Sequence, residues 1–337
     1  MALRASRDFD GSQNKIAIRQ RWDRPVLDAA MAVHGHVLSY LGLPGPAAQD
    51  LLEWRDILGV RTGVERLRRG SVAREEDRER HRRLLRTVMI NDISDGFQPL
   101  RGEIEDIILD TTDVDGASPL LNDGQPLHRM RFLYDLINLD FFGGVGYRDK
   151  RGISKRVRAL KKLFERQQGT SFVLLLTFSV RDGLDDELTQ YLTETRDRAD
   201  GELRRIVEWY ARCGTGDKDH KLKALVPLFL QRQAEDNMFR CHTYPPIAYD
   251  GNGGTRMVHF AFALNHTSGN LRAFSAQSDS DLLKLPLVTV HDGRFRAASK
   301  HPCAWDRESC AKVLGFLPHD LRQAILTTLP GPVGRPA

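Results

Sequence analysis

The chain has 337 residues, enough for one large domain or two of ordinary size. Hydrophobic residues make up 41% of it and charged residues 28%, which is typical of a soluble globular protein. No apolar run reaches the roughly 18–20 residues of a membrane helix, and the net charge of +5 is too modest to indicate a nucleic-acid partner by itself.

The N-terminus and the cysteines predict a cytoplasmic protein. The first fifteen residues are charged and lack the apolar segment of a secretory signal. Cys213, Cys241, Cys303 and Cys310 form no C-x-x-C pair, which disfavours a structural zinc site and fits free thiols in a reducing compartment. Histidines on the late strands lack a metal-ligand spacing, so we expect no metal.

The first elements predict a strand, a glycine turn and a helix. Residues 1–25 are polar and predict an arm or a loosely packed lead-in. Residues 36–41 (HVLSYL) predict a strand that runs into the turn GLPGP at 42–46, and residues 47–58 have apolar positions at helical spacing. Such a turn brings bare backbone and a helix N-terminus close to an anionic or polar ligand.

Two further strands are predicted before the middle of the chain. Residues 59–67 predict the second strand, with Glu65 near its end, and a charged helix follows over 74–90. Residues 103–109 (EIEDIIL) predict the third strand, which ends at Asp110. An acid at the end of the second strand is where dinucleotide-type sites grip a ribose hydroxyl pair, although Glu65 is also one acid in a charged stretch.

Residues 132–144 (FLYDLINLDFFGG) are the centre of the prediction. An apolar run between turn signals indicates a strand buried on both faces. Asn138 and Asp140 would lie at its carboxyl end, where ligands bind in an open parallel sheet. Alternatively, they cap the following loop through local side chain–backbone hydrogen bonds.

The second half completes an α/β pattern. A basic helix over 154–167 and a buried strand over 171–180 are followed by helices and by a hairpin across the turn DGNGG at 250–254. The order predicts a mostly parallel sheet covered by helices, with a terminal antiparallel hairpin. The predicted domains are an arm (1–32), a Rossmann-like domain (33–185 plus 236–268), a helical insertion (186–235) and a small C-terminal module (269–337).

This arrangement resembles the class I, Rossmann-like fold of S-adenosylmethionine-dependent methyltransferases over roughly residues 33–265. The resemblance implies that S-adenosylmethionine is the cofactor. It places the methionine part of the cofactor at the glycine turn, the ribose at the second strand and the adenine after the third. The implied cofactor-binding residues are Gly42, Pro44, Gly45, Glu65 and Asp110.

The resemblance also implies that Asn138, Asp140 and Phe141 form the catalytic motif. In the branch of the family that methylates amino groups, polar oxygens accept the amine hydrogens and an aromatic ring stacks on the base, roles that fit Asn138 and Phe141. Ser39 and Tyr40 stand where the family has an acid, and the family's Pro-Pro is absent.

Three functions remain open on this basis. The leading hypothesis is a methyltransferase acting on nucleic acid, whose phosphates a basic stretch after the central strand would hold. The alternative is a catalytically silent, methyltransferase-like subunit that binds nucleic acid or partner proteins, with a fainter resemblance to proteins of bacterial mobile-element and defence loci. A nicotinamide-dependent enzyme is the third candidate. The basic stretch itself has an alternative interpretation, because it is equally typical of a solvated helix face. The implied phosphate-binding residues are Arg148, Lys150, Arg151, Lys155 and Arg156.

Overall fold

The computed structural model of the chain describes residues 12–65, 71–109, 133–141, 143–146, 154–167, 169–181, 186–251, 253–268, 277–298 and 307–329. Within these residues, ten strands form one sheet. The strands are β1 (Leu38–Gly42), β2 (Leu58–Glu65), β3 (Phe97–Arg101), β4 (Leu136–Asp140), β5 (Phe172–Ser179), β6 (Phe239–Thr243), β7 (Ile247–Asp250), β8 (Arg256–His266), β9 (Val288–His291) and β10 (Arg294–Ala297).

Helices alternate with the first five strands and then dominate the middle of the chain. A π-helical turn, Arg19–Asp23, joins the first two helices. None of the helices in the described ranges is long and apolar enough to cross a membrane. The α-helices are α1 (Gln13–Ile18), α2 (Arg24–His34), α3 (Gln49–Glu53), α4 (Ser71–Ile90), α5 (Ile104–Leu109), α6 (Lys155–Arg166), α7 (Asp186–Arg198), α8 (Gly201–Arg212), α9 (Lys218–Asp236), α10 (Asp279–Lys284), α11 (Arg307–Val313) and α12 (His319–Leu326).

The sheet has the strand order of a Rossmann-like fold. Strands β3-β2-β1-β4-β5 are adjacent and parallel, so the order reverses between β1 and β4. Strand β8 runs antiparallel to β5 and pairs with both β6 and β7. The predicted mostly parallel sheet with an antiparallel hairpin is therefore confirmed. In such sheets ligands bind beyond the carboxyl ends of the strands, at the reversal.

Helices cover both faces of the sheet. On one face, Leu139 and Phe260 belong to a core that includes residues of α5, α6, α7, α8 and α9. On the other face, Tyr40 and Leu136 pack in a core with side chains of α2, α3 and α4. Because side chains alternate along a strand, Asn138 lies on the same face as Leu136. This face, at the ends of β1 and β4, is therefore the one that carries the candidate site.

The N-terminal residues and the tail are more closely joined to the sheet than their sequences indicate. The expected polar lead-in is helical from Gln13 to His34, and Trp22 is fully buried. Its indole stacks on Phe295 of β10, with ring centroids 5.7 Å apart. Strands β9 and β10 form a second hairpin and extend the main sheet beyond β7. The predicted division into four domains stays a prediction.

Two predicted elements in the first half were wrong. Residues 104–109 form helix α5, and the third strand is Phe97–Arg101 instead. Ile104, Ile107 and Ile108 have the spacing of one face of a helix. In so short an apolar segment, sequence alone does not distinguish a helix from a strand. The helix expected over 47–58 is only Gln49–Glu53: Ala48 before it has a left-handed backbone with φ of 49°, and Trp54 after it leaves the helical conformation, with φ of −106°.

Candidate functional site

The ends of β1, β2 and β4 meet at one edge of the sheet. Gly42, the last residue of β1, lies in register with Gly63 of β2 on one side and Asn138 of β4 on the other. The backbone N–H of Leu43 donates to the carbonyl of Asn138 at 3.2 Å. The structure thus brings together the glycine turn, the end of β2 and the Asn138–Asp140 pair, as the sequence predicts.

A buried polar cluster lies immediately behind this edge, around Asp50 of α3. The Tyr40 hydroxyl and the Asn138 amide both donate to Oδ2 of Asp50, at 3.0 and 2.7 Å. A guanidinium nitrogen of Arg19 lies 3.5 Å from Oδ1. Burial raises the pKa of Asp50, while the charge of Arg19 and the hydrogen bond from Tyr40 oppose that rise. Burial also raises the pKa of Tyr40 well above its ordinary value.

Sequence reasoning missed Asp50 and Arg19 entirely. Asp50 stands in the segment AAQDLLEWRDIL, where a charge at a buried helical position is the one available signal. Arg19 lies in a stretch with many arginines and acids, so nothing in the sequence distinguishes it. A buried carboxylate needs hydrogen-bond or ion-pair partners. The partners of Asp50 are distant in sequence, so only the fold identifies them.

The N-terminal helical segment packs its charged side chains over the strand ends. Lys15 forms an ion pair with Asp140, and Asp23 lies 2.8 Å from Nε2 of His259. Nδ1 of the same histidine lies 3.0 Å from the Thr177 hydroxyl of β5. Residues 15, 19 and 23 are spaced four apart, so their side chains lie along one side of the helical segment. This segment therefore covers the edge where a ligand would lie.

Gly42 is required by two close approaches. A Cβ atom there would lie 2.2 Å from the Tyr40 hydroxyl and 2.8 Å from the carbonyl oxygen of Asn138. The Tyr40 ring therefore folds back over the glycine and fills the space beside it. Gly45 has a left-handed φ of 64°, which glycine adopts without strain. Pro44, between them, provides no backbone N–H to the turn.

Glu65 is a buried carboxylate at the end of β2. It is only 4% exposed and lies on the same face of the sheet as Gly63, because the two are separated by one residue of an extended strand. Nε of Arg80, on α4, lies 3.5 Å from its Oε2. A shielded carboxylate of this kind, one strand away from Gly42, is able to accept hydrogen bonds from hydroxyl groups.

The other predicted site residues are not gathered at this edge. Phe141 is buried in the core, where its ring stacks on Phe178 with centroids 5.4 Å apart. Nζ of Lys155 lies 2.9 Å from a carboxylate oxygen of Asp106 on α5. Arg156 is buried, with Nε 3.0 Å from Glu105 and its guanidinium 4.7 Å from the Phe141 ring centroid. The predicted Asp110, Arg148, Lys150 and Arg151 lie outside the described residues.

The chain has only low similarity to known proteins, in sequence and in structure. No protein-family model matches the chain, and no curated protein matches it. Among solved structures, a magnesium protoporphyrin IX methyltransferase from Synechocystis PCC 6803, crystallised with S-adenosylhomocysteine, has 9% identity and a TM-score of 0.35 over 76% of this chain and 91% of its own.

Two further solved structures are similar to the same degree. A methyltransferase from Aquifex aeolicus that depends on S-adenosylmethionine has 11% identity and a TM-score of 0.33, over 73% of this chain and 91% of its own. The YcgJ protein from Bacillus subtilis has 12% identity and a TM-score of 0.35, over 72% and 99%. Similarity of this degree does not establish a shared activity, so function is argued from the site.

Proposed function

We propose that the chain binds S-adenosylmethionine at the ends of β1, β2 and β4 and transfers its methyl group. The observation that carries the proposal is the buried carboxylate of Glu65, on the strand next to Gly42 and on the same face of the sheet. The strand order reverses between β1 and β4, which is where Rossmann-like sheets hold nucleotide-type ligands. The resemblance to class I methyltransferases narrows that ligand class to the adenosyl cofactor.

The residues at this edge fit the adenosine half of the cofactor. Glu65 would accept hydrogen bonds from the ribose hydroxyls, and the turn containing Gly42 and Gly45 would face the methionine half. The cofactor supplies an electrophilic methyl group on a sulfonium. Since the Tyr40 ring fills the space beside Gly42, binding requires the ring to turn away or the turn to open.

The chain's own contribution to methyl transfer would be alignment. Asn138 and Asp140 are the polar side chains at the end of β4, and their oxygens would accept hydrogens of an incoming amine. Alignment and preorganised charge supply much of the rate in such reactions, so no strong base is required. Because Asp140 pairs with Lys15 of α1, that lysine must move away before an acceptor reaches Asp140.

The basic segment 148–162 supports nucleic acid as the acceptor. Lys155 and Arg156 are paired with α5, so we assign phosphate contact to the exposed Arg158 on the outer side of α6. Phosphate contacts weaken steeply with salt. Binding of a labelled oligonucleotide should therefore fall by at least tenfold between 50 and 200 mM salt, and a flat salt response would contradict this acceptor.

Calorimetric titration with S-adenosylmethionine tests the cofactor. We expect one site with micromolar affinity and at least tenfold weaker binding by Glu65→Gln, because bonds to a charged acceptor contribute about 1.5–3 kcal/mol. Glu208→Gln is the matched control, since Glu208 is a partly exposed acid paired with arginines on α8, away from the strand ends. Equal affinity in the Glu65 and Glu208 variants would contradict the assignment.

A silent, methyltransferase-like subunit is the second candidate, and the buried cluster favours it. The Tyr40 ring fills the space beside Gly42, and the Asn138 amide already donates a hydrogen bond to Asp50. An isolated chain that binds no S-adenosylmethionine, yet unfolds cooperatively, supports this candidate over the enzyme.

A further inference from the structure

A cluster of metal-ligand side chains lies at the opposite edge of the sheet from the candidate site. His34 ends α2, His36 follows two residues later before β1, and Asp135 directly precedes β4. One ligand atom from each lies within 4.8 Å of the others. Asp135 is three residues ahead of Asn138, about 10 Å along an extended strand. The cluster is therefore separate from the proposed cofactor site.

The spacing of the three side chains is close to that around a tetrahedral metal ion. Nδ1 of His34 lies 3.4 Å from Oδ1 of Asp135, and the two imidazole centroids are 5.5 Å apart. Around zinc, ligand atoms at about 2.0–2.1 Å are about 3.3 Å from one another, and the centroids of two coordinated imidazoles are roughly 5 Å apart. His34 and Asp135 already have this spacing, and rotation of the exposed His36 ring would bring its Nε2 towards the same ion, since Nδ1 is the nitrogen in contact with Asp135, 3.9 Å from Oδ2.

Hydrogen bonds already orient Asp135. Its Oδ2 accepts from the backbone N–H of Ser39 at 2.9 Å and from the Ser39 hydroxyl at 2.8 Å. The Asp135 N–H in turn donates to the Ser39 hydroxyl oxygen at 3.0 Å. Oδ1 is thereby directed towards the His34 imidazole, whereas Nδ1 of His36 lies 3.9 Å from Oδ2. Metal-binding carboxylates in proteins are held by neighbours in this way.

The backbone also sets the tautomer of His36. Its Nδ1 lies 2.8 Å from the carbonyl oxygen of Val37, and a carbonyl accepts only, so Nδ1 carries the proton and Nε2 carries the lone pair. A coordinating histidine commonly donates its other ring N–H to a backbone carbonyl. The His36 side chain is 58% exposed, whereas those of His34 and Asp135 are 12% and 10% exposed. Two ligands are thus shielded, and the third opens a path for the ion from solvent.

We propose that His34, His36 and Asp135 bind one divalent transition metal ion of the zinc class. Two imidazoles and one carboxylate are a common zinc donor set, and three protein ligands leave one position for water. The ion joins the end of α2 to the starts of β1 and β4, and thus stabilises the folded chain, since the unfolded chain lacks the site. Sequence spacing did not reveal the site, because Asp135 is distant from the histidines along the chain.

Titration of the chelator-treated full chain with Zn²⁺ alone tests the proposal. We expect one ion per chain with micromolar or tighter affinity, and a melting temperature that rises with zinc concentration. His36→Ala should weaken binding at least tenfold while leaving the circular dichroism spectrum unchanged, since this side chain is exposed. Binding of S-adenosylmethionine by the same variant should be unaffected.

His291→Ala is the matched control, because His291 is an exposed histidine whose Nδ1 lies 3.1 Å from Asp292. That variant should bind zinc like the natural chain. Equal zinc affinity in the His36 and His291 variants would place the ion elsewhere and overturn the proposal. Failure of the natural chain to bind zinc at one equivalent would overturn it as well.

Discussion

The side-chain amide of Asn138 donates to the buried carboxylate of Asp50 at 2.7 Å, although the two residues are 88 positions apart. Asp50 also accepts from Tyr40, so the two donors that flank Gly42 in space share one acceptor oxygen. Asn138 is therefore both a structural partner and a candidate site residue. A loss of activity in its variants is interpretable only beside a measurement of stability.

Asn138→Ala should lower the free energy of unfolding by about 1–3 kcal/mol. The substitution removes one of the two hydrogen bonds that Oδ2 of the buried Asp50 accepts, and a hydrogen bond to a charged group contributes about 1.5–3 kcal/mol. Urea denaturation measures the change. Asn91→Ala is the control, because Asn91 is exposed and its amide donates to the carbonyl of Thr87, in the last turn of α4, so the change there should stay within about 0.5 kcal/mol. Equal stability of the two variants would show that the Asn138–Asp50 bond contributes nothing.

Gly42→Ala should destabilise the chain by more than about 1–3 kcal/mol, the usual cost of overpacking a core. The added methyl would lie 2.8 Å from the backbone oxygen of Asn138, which cannot move without shifting β4. Gly214→Ala is the matched control, since a Cβ there would meet no heavy atom of the described residues within 4 Å. Thermal melting of both variants tests the expectation, and a melting temperature of Gly42→Ala equal to that of the control would contradict it.

The sequence predicted the sheet well because its central strands are long apolar runs. Strand β5 is buried at all eight positions, and an apolar run of this length between turn residues is typical of a strand buried on both faces. The prediction failed where the pattern is ambiguous, as at residues 104–109, whose isoleucines fit one face of a helix equally well. β3 was missed because only residues 99 and 100 of its five positions are buried, and one of them is Pro99.

The candidate site was predicted only in part. Gly42, Glu65 and Asn138 come together because strand ends in a parallel sheet meet at one edge. The contacts of Asp50 with Arg19, and of Asp140 with Lys15, depend on how the N-terminal helices pack across the sheet. That packing joins residues distant in sequence, and no local pattern encodes it.

Cys213 should react with a thiol reagent much faster than Cys241. Burial raises the pKa of the Cys241 thiol to about 12, so its reactive thiolate is scarce at neutral pH, and its side chain is shielded as well. Cys213, at the end of α8, is half-buried. Labelling in a Cys303→Ser background should show a fast phase that Cys213→Ser removes. A fast phase that disappears instead with Cys241→Ser would contradict the burial of that thiol.

His81 should make the chain acid-sensitive between about pH 6.5 and 4. Burial, with a smaller effect from the charge of Arg101, lowers the pKa of His81 to about 4, whereas the unfolded chain has the ordinary histidine value near 6.5. Within that window the unfolded state binds more protons, so stability is lost as the pH falls, at about 1.4 kcal/mol per pH unit at most. His81→Gln should flatten this part of the stability profile, because glutamine does not titrate. His319→Gln, at an exposed histidine of α12, should keep the slope of the natural chain. Urea midpoints of the two variants, measured at several pH values, test this expectation. Parallel profiles of midpoint against pH would exclude His81 as the source of the acid sensitivity.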